Sequence, residues 1–120
     1  MPTAPALFWP GYYRFTALLR RGNIHTTVIK DFADKETERL WERRHSKAIP
    51  ADLHRRALKK LTQIHLAGDL YDLRVPPGNR LEQLGGDRKG QHSVRINDQF
   101  RVCFVWEDGD AYEVEVTDYH

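Results

Sequence analysis

Arg80 to Trp106 reads RLEQLGGDRKGQHSVRINDQFRVCFVW, and this stretch decides the fold. From His92 onward the even positions Val94, Ile96, Phe100, Val102, Phe104 and Trp106 are apolar, whereas the odd positions include Ser93, Arg95, Arg101 and Cys103. Alternation with period two marks strands that turn one face to a core. Asn97-Asp98-Gln99 breaks the run with turn formers, so two antiparallel strands joined by a short hairpin are expected. The opposite face then carries Arg95 and Arg101, and the glycine-bounded loop before it carries Arg88 and Lys89. A rigid sheet that presents cations suits a polyanion.

Working outward, Pro76-Pro77-Gly78-Asn79 is a turn that delivers the chain into this meander. Upstream, Leu53, Ala57, Leu61 and Ile64 share one face of a helix that Pro50 opens and Gly68 stops, with Arg55, Arg56, Lys59 and Lys60 off the apolar stripe. Asp69–Leu73 adds a helical turn. An earlier helix is capped by Asp34, with Thr37, Leu40 and Trp41 on its buried side, and ends near Arg43–His45. Val28–Phe32 reads as a short strand. Downstream, Glu107-Asp108-Gly109-Asp110 turns the chain into a last strand, in which Tyr112, Val114 and Val116 alternate against Glu113, Glu115 and Thr117. The expected class is α+β: two N-terminal helices packed on a small, mostly antiparallel β-sheet, with function on the sheet's other face.

A length of 120 residues, with 40% hydrophobic and 30% charged, fits one globular domain. The first 27 residues hold Arg14, Arg20 and Arg21 and no acid, which accounts for the net charge of +2; the rest is close to neutral, so any basic site is local. Those residues show no stable period, are broken by Pro2, Pro5, Pro10 and Gly11, and read as a poorly ordered or non-native extension. They lack the pattern of a signal peptide, and no run approaches a membrane span. The domain is placed at 28–120. A lone cysteine excludes an internal disulfide and zinc-ligand spacing, and points to the reducing cytoplasm.

Chemistry gathers where the arginine face meets the end of the last strand. RNA carries its own nucleophile in the 2′-hydroxyl, so cutting it requires a proton acceptor, a proton donor and cations for the phosphorane. Arg101 offers a forked guanidinium to phosphate oxygens, and His120 titrates near neutrality. Tyr119 offers a stacking face and a phenol, while Asp118 and Glu82 offer carboxylates. This scheme calls for no metal or cofactor.

These residues resemble those of HigB-type toxins, members of the RelE/ParE superfamily of bacterial toxin–antitoxin systems. The likeness rests on PPGNRLEQL (Pro76–Leu84), on GDRKGQHSVRINDQFRVCF (Gly86–Phe104) and on the terminal Val116-Thr117-Asp118-Tyr119-His120. It implies a toxin of a type II system, a metal-independent endoribonuclease that cleaves mRNA on the ribosome. Its implied partner is a HigA-type helix-turn-helix antitoxin, with operator DNA met only through that antitoxin. The resemblance assigns catalysis to Arg101, Asp118, Tyr119 and His120; RNA contact is expected of the neighbouring cations Arg80, Arg88, Lys89 and Arg95. Some members carry a histidine where this chain has Glu82 and a lysine near Gly85. Acid–base work therefore falls on Glu82, or on His120 and Asp118, and slow cleavage is expected. The ParE branch supplies an alternative, a non-enzymatic gyrase binder; a weakly active toxin serving mainly operon autoregulation is another. A chain that starts at Val28 is expected to arrest growth as the full chain does. Loss of that arrest on induction of the shorter chain would count against the domain boundary.

Overall fold

The structure is a computed structural model and describes residues 28–118. The extension expected over 1–27 lies outside them, as do Tyr119 and His120. Among the described residues the α-helices are α1 (Lys35–Trp41) and α2 (His54–Leu66), followed by a four-stranded antiparallel sheet in the order β1-β2-β3-β4. The strands are β1 (Glu82–Gln83), β2 (Gln91–Arg95), β3 (Phe100–Glu107) and β4 (Asp110–Asp118).

Helix α1 begins where Asp34 accepts a hydrogen bond from the Thr37 amide at 3.0 Å, and Glu36 and Glu38 in its first turn complement the helix dipole. It stops at Trp41, just short of the expected end. Arg43 then takes a left-handed φ of 62° and returns its guanidinium to the Trp41 carbonyl. Helix α2 follows a single 3-10 turn at Ala51–Leu53 and buries Ala57, Leu61 and Ile64, as its apolar spacing requires.

These side chains join Val94, Ile96, Phe100, Val102 and Phe104 in one apolar cluster, so the even positions of β2 and β3 do face the core. The hairpin between the strands closes on Asn97, whose side-chain oxygen accepts from the amides of Gln99 and Phe100 at 2.9 and 2.7 Å. That turn fixes the register at Arg95 opposite Arg101.

Two expectations need correction. Val28–Phe32 forms no regular strand; it makes isolated parallel bridges from Ile29 to Ala111 and from Phe32 to Val114 along the outer side of β4. Between those bridges the Asp31 carboxylate accepts from the Glu113 amide, and Glu113 has a φ of 52°. The regular alternation expected over Tyr112, Val114 and Val116 is also broken. The β3–β4 register slips between Cys103 and Val105, a β-bulge that inverts the parity of β4 upstream of it. Ala111, opposite Trp106, therefore enters the core cluster, while Tyr112 pairs with Val105 on the other face.

The helices are tied to the sheet by polar bonds as well as apolar burial. Thr37 is fully buried and its hydroxyl accepts from the Val116 amide at 2.9 Å. Buried His65 accepts through Nδ1 from the Ile29 amide at 3.2 Å. Thr37→Val keeps shape but strands a buried β4 donor, so it should lower unfolding free energy by about 1–3 kcal/mol. Urea denaturation reads that loss directly, and unchanged stability would mean that the bond contributes nothing.

Candidate functional site

The face of the sheet turned away from the helical core is assembled by register. Glu82 pairs with Ser93, Ser93 with Cys103, and Arg95 with Arg101. On the other side of β3, Cys103 pairs with Glu115 and Arg101 with Thr117. Directly opposed residues share a face, so one surface carries Glu82, Ser93, Arg95, Arg101, Cys103, Glu115 and Thr117.

Arg101 lies at the centre of this surface and is held on two sides. Its Nε donates to Ser93 Oγ at 2.7 Å, and one terminal nitrogen donates to the Arg80 carbonyl at 2.6 Å. The Glu82 carboxylate stands 3.9 Å from the same nitrogen. The Arg101 side chain is only 11% exposed, against 53% for that of Glu82. A guanidinium has five N–H donors in a rigid fork. Two committed to the frame fix the fork's plane, while the others can meet a phosphate.

Local sequence explains the frame. The turn at Pro77–Asn79 ends in Arg80 with a left-handed φ of 45°, which swings its carbonyl toward Arg101. Asn79, fully buried, anchors the turn by donating to the Leu73 carbonyl at 3.1 Å. The Arg80 side chain itself is exposed. Its backbone oxygen therefore contributes to the site, which residue type alone did not reveal. Ser93 was also missed as a functional residue, although its parity with Arg95 and Arg101 was visible.

The other expected residues fall in distinct places. Arg88 donates to Gln91 at 3.0 Å and to Glu115 at 3.1 Å, bridging from the loop before β2 to β4. Lys89 is exposed in that loop, which enters β2 through Gly90 at a φ of 94°. Arg95 bonds Asp98 at the hairpin. Asp118 accepts from Gln99 Nε2 at 2.9 Å and pairs in register with Phe100. Phe100 is a core residue, so Asp118 has the parity of the core face, and it is Thr117 that stands beside Arg101. The expected gathering of Asp118 on the arginine face is thus not what the register produces. Glu82 and Arg101 are brought together; Tyr119 and His120 lie outside the described residues.

Cys103, buried among Arg88, Arg101 and Glu115, has its thiol pKa pushed up mainly by burial, which leaves it a weak nucleophile. His92 packs against Phe104 with ring centroids 6.1 Å apart, and burial lowers its pKa. Among the described residues no group of His, Cys, Asp and Glu is placed to hold a metal ion, and no helix is long and apolar enough to cross a membrane.

A family model described as the RelE-like toxin of the type II toxin–antitoxin system HigB matches residues 30–120. Toxin HigB-1 of Vibrio cholerae serotype O1 is 42% identical over 83 residues, covering 68% of this chain and 86% of that protein. Endoribonuclease HigB of Proteus vulgaris is 31% identical over 93 residues, covering 78% of this chain and all of that protein. The solved YoeB–YefM complex from Staphylococcus aureus superposes with a TM-score of 0.50 at 17% identity, over 78% of this chain and 97% of that one; this is a likeness of fold.

The lowered His92 pKa has a definite sign. The folded chain releases a proton that the unfolded chain holds, so stability is full above the ordinary imidazole value near 6.5 and falls as pH drops toward the folded value. His92→Leu should flatten that part of the stability–pH curve in chemical denaturation. An unchanged slope would mean that His92 is not its source.

Proposed function

Because the chain belongs to the HigB-like toxin family of type II toxin–antitoxin systems, we propose that it is an endoribonuclease that cuts mRNA on the ribosome with Arg101 as its phosphate-binding cation. The observation that carries this reading is the immobilised Arg101 fork beside the Glu82 carboxylate. The name of the Proteus vulgaris relative supports the reaction type.

In the proposed step a base takes the proton of the 2′-hydroxyl, and the 2′-oxygen attacks the adjacent phosphorus. The bond to the 5′-oxygen breaks, an acid protonates that leaving oxygen, and a 2′,3′-cyclic phosphate remains. Negative charge grows on the non-bridging oxygens, and a cation already fixed in position stabilises it without reorganisation. Ser93 and the Arg80 carbonyl provide that fixation. Glu82 is the carboxylate nearest the guanidinium and serves as a base in this scheme. Tyr119 and His120, the two residues that follow Asp118 in the sequence, complete the proposed acid–base set. Arg88, Lys89, Arg95 and the Arg80 side chain contact the RNA backbone. RNA supplies the nucleophile, so the route needs no metal.

The ribosome aligns the message, since an arginine and a few proton carriers cannot by themselves bring the 2′-oxygen in line with its leaving group. A HigA-type antitoxin is the proposed partner, with operator DNA reached only through it. The YoeB–YefM complexes lend support, as they pair a toxin of this fold with an antitoxin. The cytoplasm is the proposed compartment, consistent with a single, buried, reduced cysteine.

Mapping of message 5′ ends after induction tests the reading. New ends inside translated codons are expected with the native chain. Arg101→Ala should abolish them, at a cost of at least about 100-fold in rate, while leaving the fold's thermal transition in place. Intact message accompanied by DNA damage would instead point to gyrase.

A further inference from the structure

The end of β2 that carries Arg95 also borders a second cleft, lined differently from the Arg101 cluster. About 250 Å³ in volume, it is bounded by Arg56, Lys59 and Lys60 of α2, by Gly78 in the turn before β1, and by Arg95 and Ile96. Four of these six residues are cations and none is an acid. Arg56, Lys59 and Lys60 stand three and four residues apart, the spacing that puts them on one helix face, where like charges repel. Burial, and then Lys59 and Arg56, lower the Lys60 pKa.

The cations are also held. The Lys60 ammonium donates to the side-chain oxygen of fully buried Asn79, whose amide donates to Gln63 at 3.1 Å. Arg95 bonds Asp98, whose side chain is almost wholly exposed, and an ion pair of that kind is weak and readily exchanged for another anion.

We propose that this cleft seats a backbone phosphate of single-stranded RNA, as a second anchor beside the one at Arg101. The choice of RNA rests on the endoribonuclease reading above. Two features favour it over an acidic peptide. Arg95 belongs to the cleft and is also the register partner of Arg101, so one continuous polyanion can reach both seats. The cleft's one large apolar lining residue, Ile96, is 2% exposed, which leaves little for the apolar anchors of a peptide to grip.

Gly78 gives an independent handle. A Cβ built there meets nothing within 4 Å, so Gly78→Asp places a carboxylate at the cleft without steric conflict. Arg55, exposed on the same helix but outside the lining, is the control.

The test is fluorescence anisotropy with the full chain and a short 2′-O-methyl RNA, which cannot be cut through its own 2′-oxygen, over a series of salt concentrations. Binding is thereby read apart from cleavage, so this inference can fail while message cutting stands, and the reverse. Arg56→Gln/Lys59→Gln should weaken binding and make the log–log salt slope shallower by about 0.7, the effect of one lost phosphate contact on a single strand. Gly78→Asp should weaken binding too, and Arg55→Gln should change it less than about twofold. Native affinity and slope in both cleft variants would overturn the proposal. So would an Arg55→Gln effect as large as that of the cleft pair, since this would indicate diffuse attraction. Tighter binding of a polyglutamate peptide of equal charge would overturn the choice of RNA.

Discussion

The pairing of β2 with β3, locked by the Asn97 turn at Arg95 opposite Arg101, is the constraint on which the rest of this molecule depends. A slip of β2 by one residue against β3 would turn Val94 toward water and Arg95 toward the apolar cluster. The burial of Val94, Val102 and Phe104 against α1 and α2 therefore fixes the arginines on the opposite surface. Core formation and presentation of charge are two results of one register. The loops before β2 and after β3 add cations and acids around it without altering that division.

A guanidinium on a sheet surface would ordinarily sample many rotamers. Here Arg101 is committed by a hydroxyl from the neighbouring strand and a carbonyl from the turn that precedes β1. Both partners are neutral, so its charge is oriented without being cancelled. Glu82, the nearest carboxylate, stays largely exposed, and an exposed pair at this distance interacts weakly across water. The arrangement leaves the arginine available to an anion. Arg88 contrasts with it, since Glu115 accepts its hydrogen bond and much of its charge is answered within the chain.

Strand β4 shows how an edge can change what a sequence pattern means. The bridges from Ile29 and Phe32, with Asp31 accepting from the Glu113 amide, run along its outer side. The bulge there lets the chain place both Ala111 and Val114 in the core, although a separation of three would set them on opposite faces of a regular strand. Beyond the bulge the alternation resumes, and the same regularity that puts Thr117 beside Arg101 puts Asp118 opposite Phe100.

Much of this was legible in the sequence because it depends on local rules. Period-two alternation located β2, β3 and the arginine face; the Asp34 cap and the Leu53–Ile64 stripe located the helices; and PPGNRLEQL with the C-terminal run pointed to the family. What local rules cannot carry is contact between residues far apart in the chain. The Arg80 carbonyl reaches Arg101 only because a left-handed residue ends a turn anchored on buried Asn79. Tyr112 leaves the core through a bulge at which the Glu113 amide donates to Asp31, eighty-two residues earlier. The four-cation cleft exists only because α2 packs beside the end of β2. Sequence determined which residues alternate and which carry charge; the tertiary structure decided which of those charges are held, answered or left open, since that is set by partners brought together through folding.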